Sequence, residues 1–219
     1  MLDAVIFDFD GIIVDSEPLH FQAFNEVLKP LNKSFSWDVY CEQYIGFDDR
    51  DAFRTAFKNE GLCAKELHRL IQEKAKAFQR LVHEGKANPL PGAVELIKSL
   101  PPNLPVALCS GALREDIDPI IEQLGITAFF DVIVTADDTS RSKPDPAPYR
   151  LALDQLGIKN PADAVAIEDT PAGILSAKEN GLKVLAVTNS YDRKYLLEAD
   201  AITDSLEKTT RLSLEDMVL

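Results

Sequence analysis

The sequence of 219 residues is 46% hydrophobic and carries 23 basic against 36 acidic side chains, a formal net charge of −13. This composition predicts a folded chain. The excess of acid argues against nucleic acid as a partner, because phosphate backbones are bound by surplus Lys and Arg. No apolar run approaches the roughly 20 residues that cross a membrane, and no basic, apolar leader is visible. The three cysteines are odd in number and form no C-x-x-C pair, which favours a reducing, cytoplasmic compartment and argues against a zinc site. We therefore expect a cytoplasmic protein that binds neither membrane nor zinc.

Short apolar runs that recur along the chain predict the strands of a sheet. They span residues 4–9, 106–109, 132–135, 164–167, 184–187 and 201–202. Helical patterns accompany the later strands, at residues 93–100, 114–124, 146–156, 172–180 and 191–198. Strand and helix alternating at this spacing are typical of a parallel sheet covered by helices on both faces. We therefore predict an α/β fold with a doubly wound parallel sheet.

One long segment breaks the alternation. Apolar residues within 19–28, 52–57 and 67–82 follow the i, i+3, i+4 spacing of one-sided helices. The turn-rich stretch 88–92 then leads back to the α/β pattern. We predict a small helical domain of residues 16–87, inserted after the first strand of an α/β core made of residues 1–15 and 88–219.

Polar groups that could carry chemistry follow the predicted strands. Asp8 and Asp10 end the first strand, and side-chain alternation places them on the same side if the strand persists that far. Ser110, before a helix, either caps that helix or marks a backbone site for an anion. Two adjacent acids, at 168 and 169, are typical of a site for a hard cation.

The order of these groups resembles the haloacid dehalogenase-like hydrolase superfamily. The matching sequence is D-x-D-G at residues 8–11, Ser110, Lys-Pro-x-Pro at 143–146 and Glu-Asp-Thr-Pro-Ala-Gly at 168–173. The resemblance covers essentially the whole chain and implies a Rossmann-like core. The helical insert resembles the cap of the branch that contains β-phosphoglucomutase and many sugar-phosphate phosphatases.

The resemblance implies a role for each matching residue. Asp8 is the nucleophile that attacks phosphorus, and Asp10 protonates the leaving oxygen and then activates water. Ser110 and the amide of Gly111 hold the phosphoryl group, and Lys143 neutralises its charge and that of Asp8.

The resemblance also implies Mg²⁺ as the cofactor. Its ligands are Asp8, the backbone carbonyl of Asp10, and Asp169, with Glu168 supporting them directly or through water. The implied activity is hydrolysis of a small phosphorylated metabolite, a phosphomonoester such as a sugar phosphate, through an aspartyl-phosphate intermediate. We expect the protein to act as a monomer.

Residues of the insert are candidates for substrate binding. They are His20 and Gly46, which match the branch, and Arg50, which lies one residue after the position of the branch's cap arginine. His20 and Arg50 are each equally well explained as an ordinary surface or packing residue. Lys74 lies in a stretch rich in charge, and we expect it to be solvated.

Two positions depart from the mutase pattern. Where the phosphoglucomutase-like branch has a cap arginine and a preceding lysine, this chain has Asp49 and Ile45. A mutase needs firm cationic binding of a second phosphate, so we favour a phosphatase.

Other activities remain open as alternatives. The nearest is β-phosphoglucomutase-like phosphotransfer. Metal-independent dehalogenation on the same fold is disfavoured by Asp10, since no acid is expected two residues after the nucleophile there. A non-enzymatic, phospho-accepting receiver is disfavoured by the long helical insert.

Overall fold

The regular elements of the chain are taken from a computed structural model that describes residues 1–44, 49–84 and 87–219. The strands within these ranges are β1 (Ala4–Phe7), β2 (Val14–Asp15), β3 (Asn88–Pro89), β4 (Val106–Cys109), β5 (Val132–Val134), β6 (Ala164–Glu168), β7 (Lys183–Val187) and β8 (Ala201–Thr203). The α-helices are α1 (Glu17–Leu28), α2 (Trp37–Gln43), α3 (Asp49–Ala56), α4 (Ala64–His83), α5 (Ala93–Ser99), α6 (Arg114–Gln123), α7 (Ala147–Leu156), α8 (Pro171–Glu179) and α9 (Arg211–Glu215). None of these helices combines the length and the apolar character that a bilayer span requires.

The chain divides into two units, each of which is described by itself. The core unit comprises Met1–Asp15 and Asn88–Leu219, and the inserted unit comprises Ser16–Ala87. Within the core unit, β2 and β3 pair in antiparallel fashion, with Asp15 opposite Asn88. The two points at which the chain leaves and re-enters the core unit are therefore neighbours.

The core unit is built on a six-stranded sheet with the order β5-β4-β1-β6-β7-β8. All five pairings are parallel, and Val5 of β1 lies opposite Val106 on one side and Val165 on the other. Starting from β1, the chain first builds the sheet toward β5 and then continues from β6 on the other side. This is the Rossmann-like order, and it confirms the predicted doubly wound α/β fold.

Apolar burial explains why these segments form strands and helices. Every residue of β1 and β4 is buried, as expected for strands of a parallel sheet whose two faces are covered. In the inserted unit, α1 buries a stripe that includes Leu19, Ala23 and Phe24. Phe24, Val27 and Leu28 of α1 belong to an apolar cluster with residues of α2, α3 and α4, among them the fully buried Phe53.

The helix predicted over residues 191–198 does not form. Only a single 3-10 turn, Arg193–Tyr195, occurs there. Tyr191, Tyr195 and Leu197 are 39%, 56% and 69% exposed, while Leu196 is buried. One buried position does not make an apolar stripe, so packing against the sheet does not stabilise a helix at this point.

Two short helices were not predicted, and the first strand ends early. The helices are α2 and α9, of seven and five residues, too short to show a clear period. Strand β1 ends at Phe7, and the chain turns at Gly11, whose φ is +76°. Asp10 therefore lies in a turn, and the alternation expected to align it with Asp8 does not extend to it.

Candidate active site

Three neighbouring strands of the sheet end beside one another with polar residues. Asp8 follows β1, Ser110 follows the adjacent β4, and Glu168–Asp169 ends the adjacent β6. The sheet order reverses beside β1, and ligands of open α/β sheets bind outside the carboxyl ends of the strands at such a point. The fold thus brings these predicted residues to one edge of the sheet.

Lys143 connects all three of these strand ends. Its ammonium Nζ lies 2.9 Å from Asp8 Oδ1 and 2.6 Å from Glu168 Oε1. It also donates to the carbonyl oxygen of Cys109, at 2.8 Å, next to Ser110. Burial by itself would lower the pKa of Lys143, but Asp8 and Glu168 outweigh that effect and raise it above the usual lysine value. Lys143 is therefore held as a cation.

Glu168 is fully buried and is held by two donors on the same oxygen. Besides Lys143, the hydroxyl of Tyr149 on α7 donates to Glu168 Oε1 at 2.7 Å. Burial, followed by the charge of Glu168, raises the pKa of Tyr149 well above its usual value, so the phenol remains a donor. Sequence reasoning did not find Tyr149, because an aromatic residue in a helix is usually part of the core; its ring is indeed buried there.

Asp8 lies in a negatively charged and poorly solvated position. It is 7% exposed. Burial and the nearby charge of Glu168 raise its pKa well above the usual value, against the lowering effect of Lys143. The ionised Asp8 therefore needs more positive charge than one lysine supplies.

Asp169 has one oxygen engaged and one oxygen available. The hydroxyl of Ser190 donates to Oδ2, whereas Oδ1 is buried and accepts no hydrogen bond from the described residues. Burial, followed by the charge of Glu168, raises the pKa of Asp169 to about 7. A buried carboxylate oxygen without a donor is costly unless a cation or a proton satisfies it.

These acids fit a divalent cation. One carboxylate oxygen from each of Asp8, Glu168 and Asp169 can be chosen so that all lie within 4.8 Å of one another. One ammonium among three carboxylates leaves negative charge uncompensated, and oxygen ligands of this kind suit Mg²⁺. Together with the unsatisfied Oδ1 of Asp169, the donor set agrees with the magnesium that the family resemblance implies.

The other predicted residues of the core unit take less central positions. Asp10 is partly buried and its backbone bridges to Val14; its charge contributes to the raised pKa of Asp169. Ser110 does not cap the following helix, because α6 begins only after Leu113. Its Oγ instead accepts from the amide of Ala112 at 3.0 Å, in a turn that contains the exposed Gly111.

The inserted unit contains a buried polar group that the sequence did not reveal. Lys74 was expected to be solvated but is only 5% exposed. Its Nζ lies 2.7 Å from Asp49 Oδ1 and 2.7 Å from Nδ1 of His20. The His20 ring stacks on Phe78 with centroids 4.3 Å apart. Burial, followed by the charge of Lys74, lowers the pKa of His20 well below its usual value, so this histidine is neutral.

The sequence offered two further candidates in the inserted unit. Arg50 is exposed on α3. Gly46 lies outside the described residues.

Comparison with known proteins identifies the family. The haloacid dehalogenase-like hydrolases match residues 5–187. The chain belongs to this family. The predicted resemblance is confirmed, as is the prediction of an enzyme rather than a receiver.

Relatives extend over nearly the whole chain. A phosphorylated carbohydrates phosphatase of Thermotoga maritima is 31% identical over 209 residues, covering 92% of this chain and 93% of the relative. Validoxylamine A 7'-phosphate phosphatase of Streptomyces hygroscopicus subsp. limoneus is 30% identical over 207 residues, covering 94% and 95%. The crystal structure of CbbY from Rhodobacter sphaeroides in complex with phosphate has a TM-score of 0.87 at 25% identity, covering 98% of this chain and all of that one.

Proposed function

We propose that this hydrolase cleaves small phosphomonoesters, in particular sugar phosphates, through an aspartyl-phosphate intermediate and with Mg²⁺. The observation that carries the proposal is the convergence of Asp8, Lys143, Glu168 and Asp169 at one edge of the sheet. The names of the two phosphatase relatives support the reaction and the substrate class.

Asp8 acts as the nucleophile. An oxygen of its carboxylate attacks phosphorus, and the bond between phosphorus and the ester oxygen breaks. Asp10 gives its proton to the leaving oxygen, which departs as an alcohol. Asp10 then takes a proton from water as that water attacks phosphorus, and the bond between phosphorus and the Asp8 oxygen breaks. Inorganic phosphate leaves, Asp8 is again a carboxylate and Asp10 is again protonated.

Charge neutralisation is the main demand on this site. A carboxylate about 3.5 Å from a phosphate dianion is repelled by roughly 9 kcal/mol at an effective dielectric constant of about 20. Lys143, 2.9 Å from Asp8, offsets part of this repulsion and stays charged throughout. Asp8, the backbone carbonyl of Asp10 and Asp169 would hold Mg²⁺, which would supply further positive charge to the site.

Glu168 and Ser110 support the reacting groups. Glu168 accepts hydrogen bonds from both Lys143 and Tyr149. The first of these bonds orients the ammonium of Lys143 toward Asp8, and the charge of Glu168 adds to the negative surroundings that would hold Mg²⁺. Ser110 and the amide of Gly111 bind a phosphoryl oxygen. In the inserted unit, we assign contacts with the rest of the substrate to His20, Gly46 and Arg50.

A phosphate-release screen over sugar phosphates tests the proposal. Wild-type protein with Mg²⁺ should release phosphate, and EDTA should abolish release. Asp8→Asn keeps the shape of the side chain but removes the nucleophile, so its rate should fall at least about 10³-fold. The control Asp154→Asn changes an exposed acid of α7 and should leave the rate unchanged.

Two measurements separate this reaction from its neighbours. Mass spectrometry of acid-quenched wild-type protein should find a phosphoryl group on Asp8. Sugar-phosphate isomers followed in parallel should not interconvert. Isomerisation without phosphate release would establish the mutase alternative, and full activity of Asp8→Asn would remove the nucleophile from the proposal.

A further inference from the structure

We infer that Ser190 is a positioning residue for Asp169, which it holds with one oxygen directed to the cation. The inference rests on the magnesium site of the proposed function. Ser190 lies in the loop between β7 and β8, far in sequence from every motif of the site, and nothing in the family resemblance assigns it a role.

The hydrogen bond from Ser190 makes the two oxygens of Asp169 different. The hydroxyl of Ser190 donates to Oδ2, and Oδ1 has no donor among the described residues. Since a carboxylate rotates about a single bond with a broad preference, a fixed donor on one oxygen restricts the direction of the other. The oxygen left over is the one available to a metal ion.

The loop that carries Ser190 is itself tied down on two sides. The backbone N–H of Thr188 donates to the carbonyl of Thr203 in β8 at 3.0 Å. The side chain of Asn189 donates to the carbonyl of Gly11 at 2.7 Å. The loop is thereby attached to the edge of the sheet and to the turn that follows Asp10.

The turn at Gly11 leaves room for this arrangement. A Cβ atom at Gly11 would lie 1.8 Å from Asp169 Oδ2 and 2.8 Å from Ser190 Oγ. Three segments therefore meet at one point: the turn after β1, the end of β6 and the loop after β7. A side chain at position 11 would displace the bond between Ser190 and Asp169.

Partners that orient a metal ligand typically change metal affinity by about 10- to 100-fold when they are removed. Ser190→Ala should therefore raise the dissociation constant for Mg²⁺ at least about tenfold, as measured by titration calorimetry on the full-length protein without substrate. Ser190→Thr keeps the hydroxyl and should restore most of the affinity. The Mg²⁺ concentration that gives half-maximal phosphate release should rise with Ser190→Ala in the same proportion.

Ser205→Ala provides the matched control. Its hydroxyl donates to Glu207 at 3.2 Å on the loop after β8, so its loss perturbs a neighbouring loop without touching Asp169. Mg²⁺ affinity should stay within twofold of wild type. Thermal unfolding in EDTA shows whether each variant is folded.

The outcomes separate this inference from the proposed function. Mg²⁺ affinity of Ser190→Ala within twofold of wild type would overturn the inference, even if its melting temperature fell, because the hydroxyl would then serve stability alone. Wild-type protein that binds no Mg²⁺ would overturn the metal site and the inference together. A loss of affinity in Ser190→Ala, with no phosphate release from any ester, would support the inference and contradict the proposed hydrolysis.

Discussion

Replacing Lys143 by methionine removes the only cation within hydrogen-bonding distance of Asp8 and Glu168 among the described residues. The ammonium lies 2.9 and 2.6 Å from the two acids, and no side chain of the three is more than 10% exposed. Methionine keeps most of the apolar stem. The substitution therefore tests the charge rather than the packing.

The size of the effect follows from burial. Removing one partner of a buried ion pair costs about 3–5 kcal/mol, because it leaves an uncompensated charge out of water. A domain is stable by only about 5–15 kcal/mol. Lys143→Met should therefore lower the free energy of unfolding by about 3–5 kcal/mol at pH 8 in EDTA.

The effect should depend on pH with a definite sign. The pKa of Asp8 is already raised by burial and by Glu168, and Lys143 lowers it in part. Without the lysine it rises further above the unfolded value of about 3.9. Between those two values the folded state binds the extra proton, so stability falls as pH rises. The cost of Lys143→Met should be smaller at pH 5 than at pH 8.

Urea unfolding of wild-type and variant protein in EDTA measures both effects. Lys178→Met is the matched control, since it breaks a pair with Asp200 at 2.8 Å whose side chains are 35% and 25% exposed. Such a surface pair contributes about 0–1 kcal/mol. If Lys143→Met cost no more than Lys178→Met at pH 8, the reasoning from buried charge would be refuted.

The inserted unit yields two further predictions. Arg50→Ala, which changes an exposed residue of α3, should raise KM or reorder the preferred sugar phosphates with kcat nearly unchanged; an equal loss of kcat for all substrates would place Arg50 in the chemical step. The pKa of His20 is lowered by burial and by Lys74. Just below pH 6.5, the usual pKa of histidine, the unfolded chain therefore gains a proton that the folded chain does not. The free energy of unfolding should decrease as the pH decreases, by at most about 1.4 kcal/mol per pH unit. Urea unfolding between pH 7.5 and 5.5 should show this slope in wild type and in the exposed-site control His83→Gln, and a smaller slope in His20→Gln. Identical slopes in all three proteins would contradict a neutral, partly buried His20.

The strands of the six-stranded sheet and most long helices could be predicted from the sequence, because buried segments have recognisable apolar patterns. The two-residue strands β2 and β3 could not, since they are too short to show such a pattern. The buried strands read as uninterrupted apolar runs, and α1 and α4 show a helical period. The helix wrongly predicted over residues 191–198 shows the limit of such patterns. Residues 191–198 contain apolar side chains that the fold leaves in solvent, and exposure is decided by distant parts of the chain.

The sequence by itself determined which chemical groups stand at the strand ends and, through their order, the family. It did not determine how many donors each group has. That Tyr149 and Lys143 share one oxygen of Glu168, or that Lys74 is buried against His20 and Asp49, depends on residues far apart in the chain. Ser190 carries no local signal at all; its role arises only because parallel strand order places its loop beside Asp169. Hydrogen bonds and pKa shifts depend on distances and desolvation, and only the tertiary structure sets those.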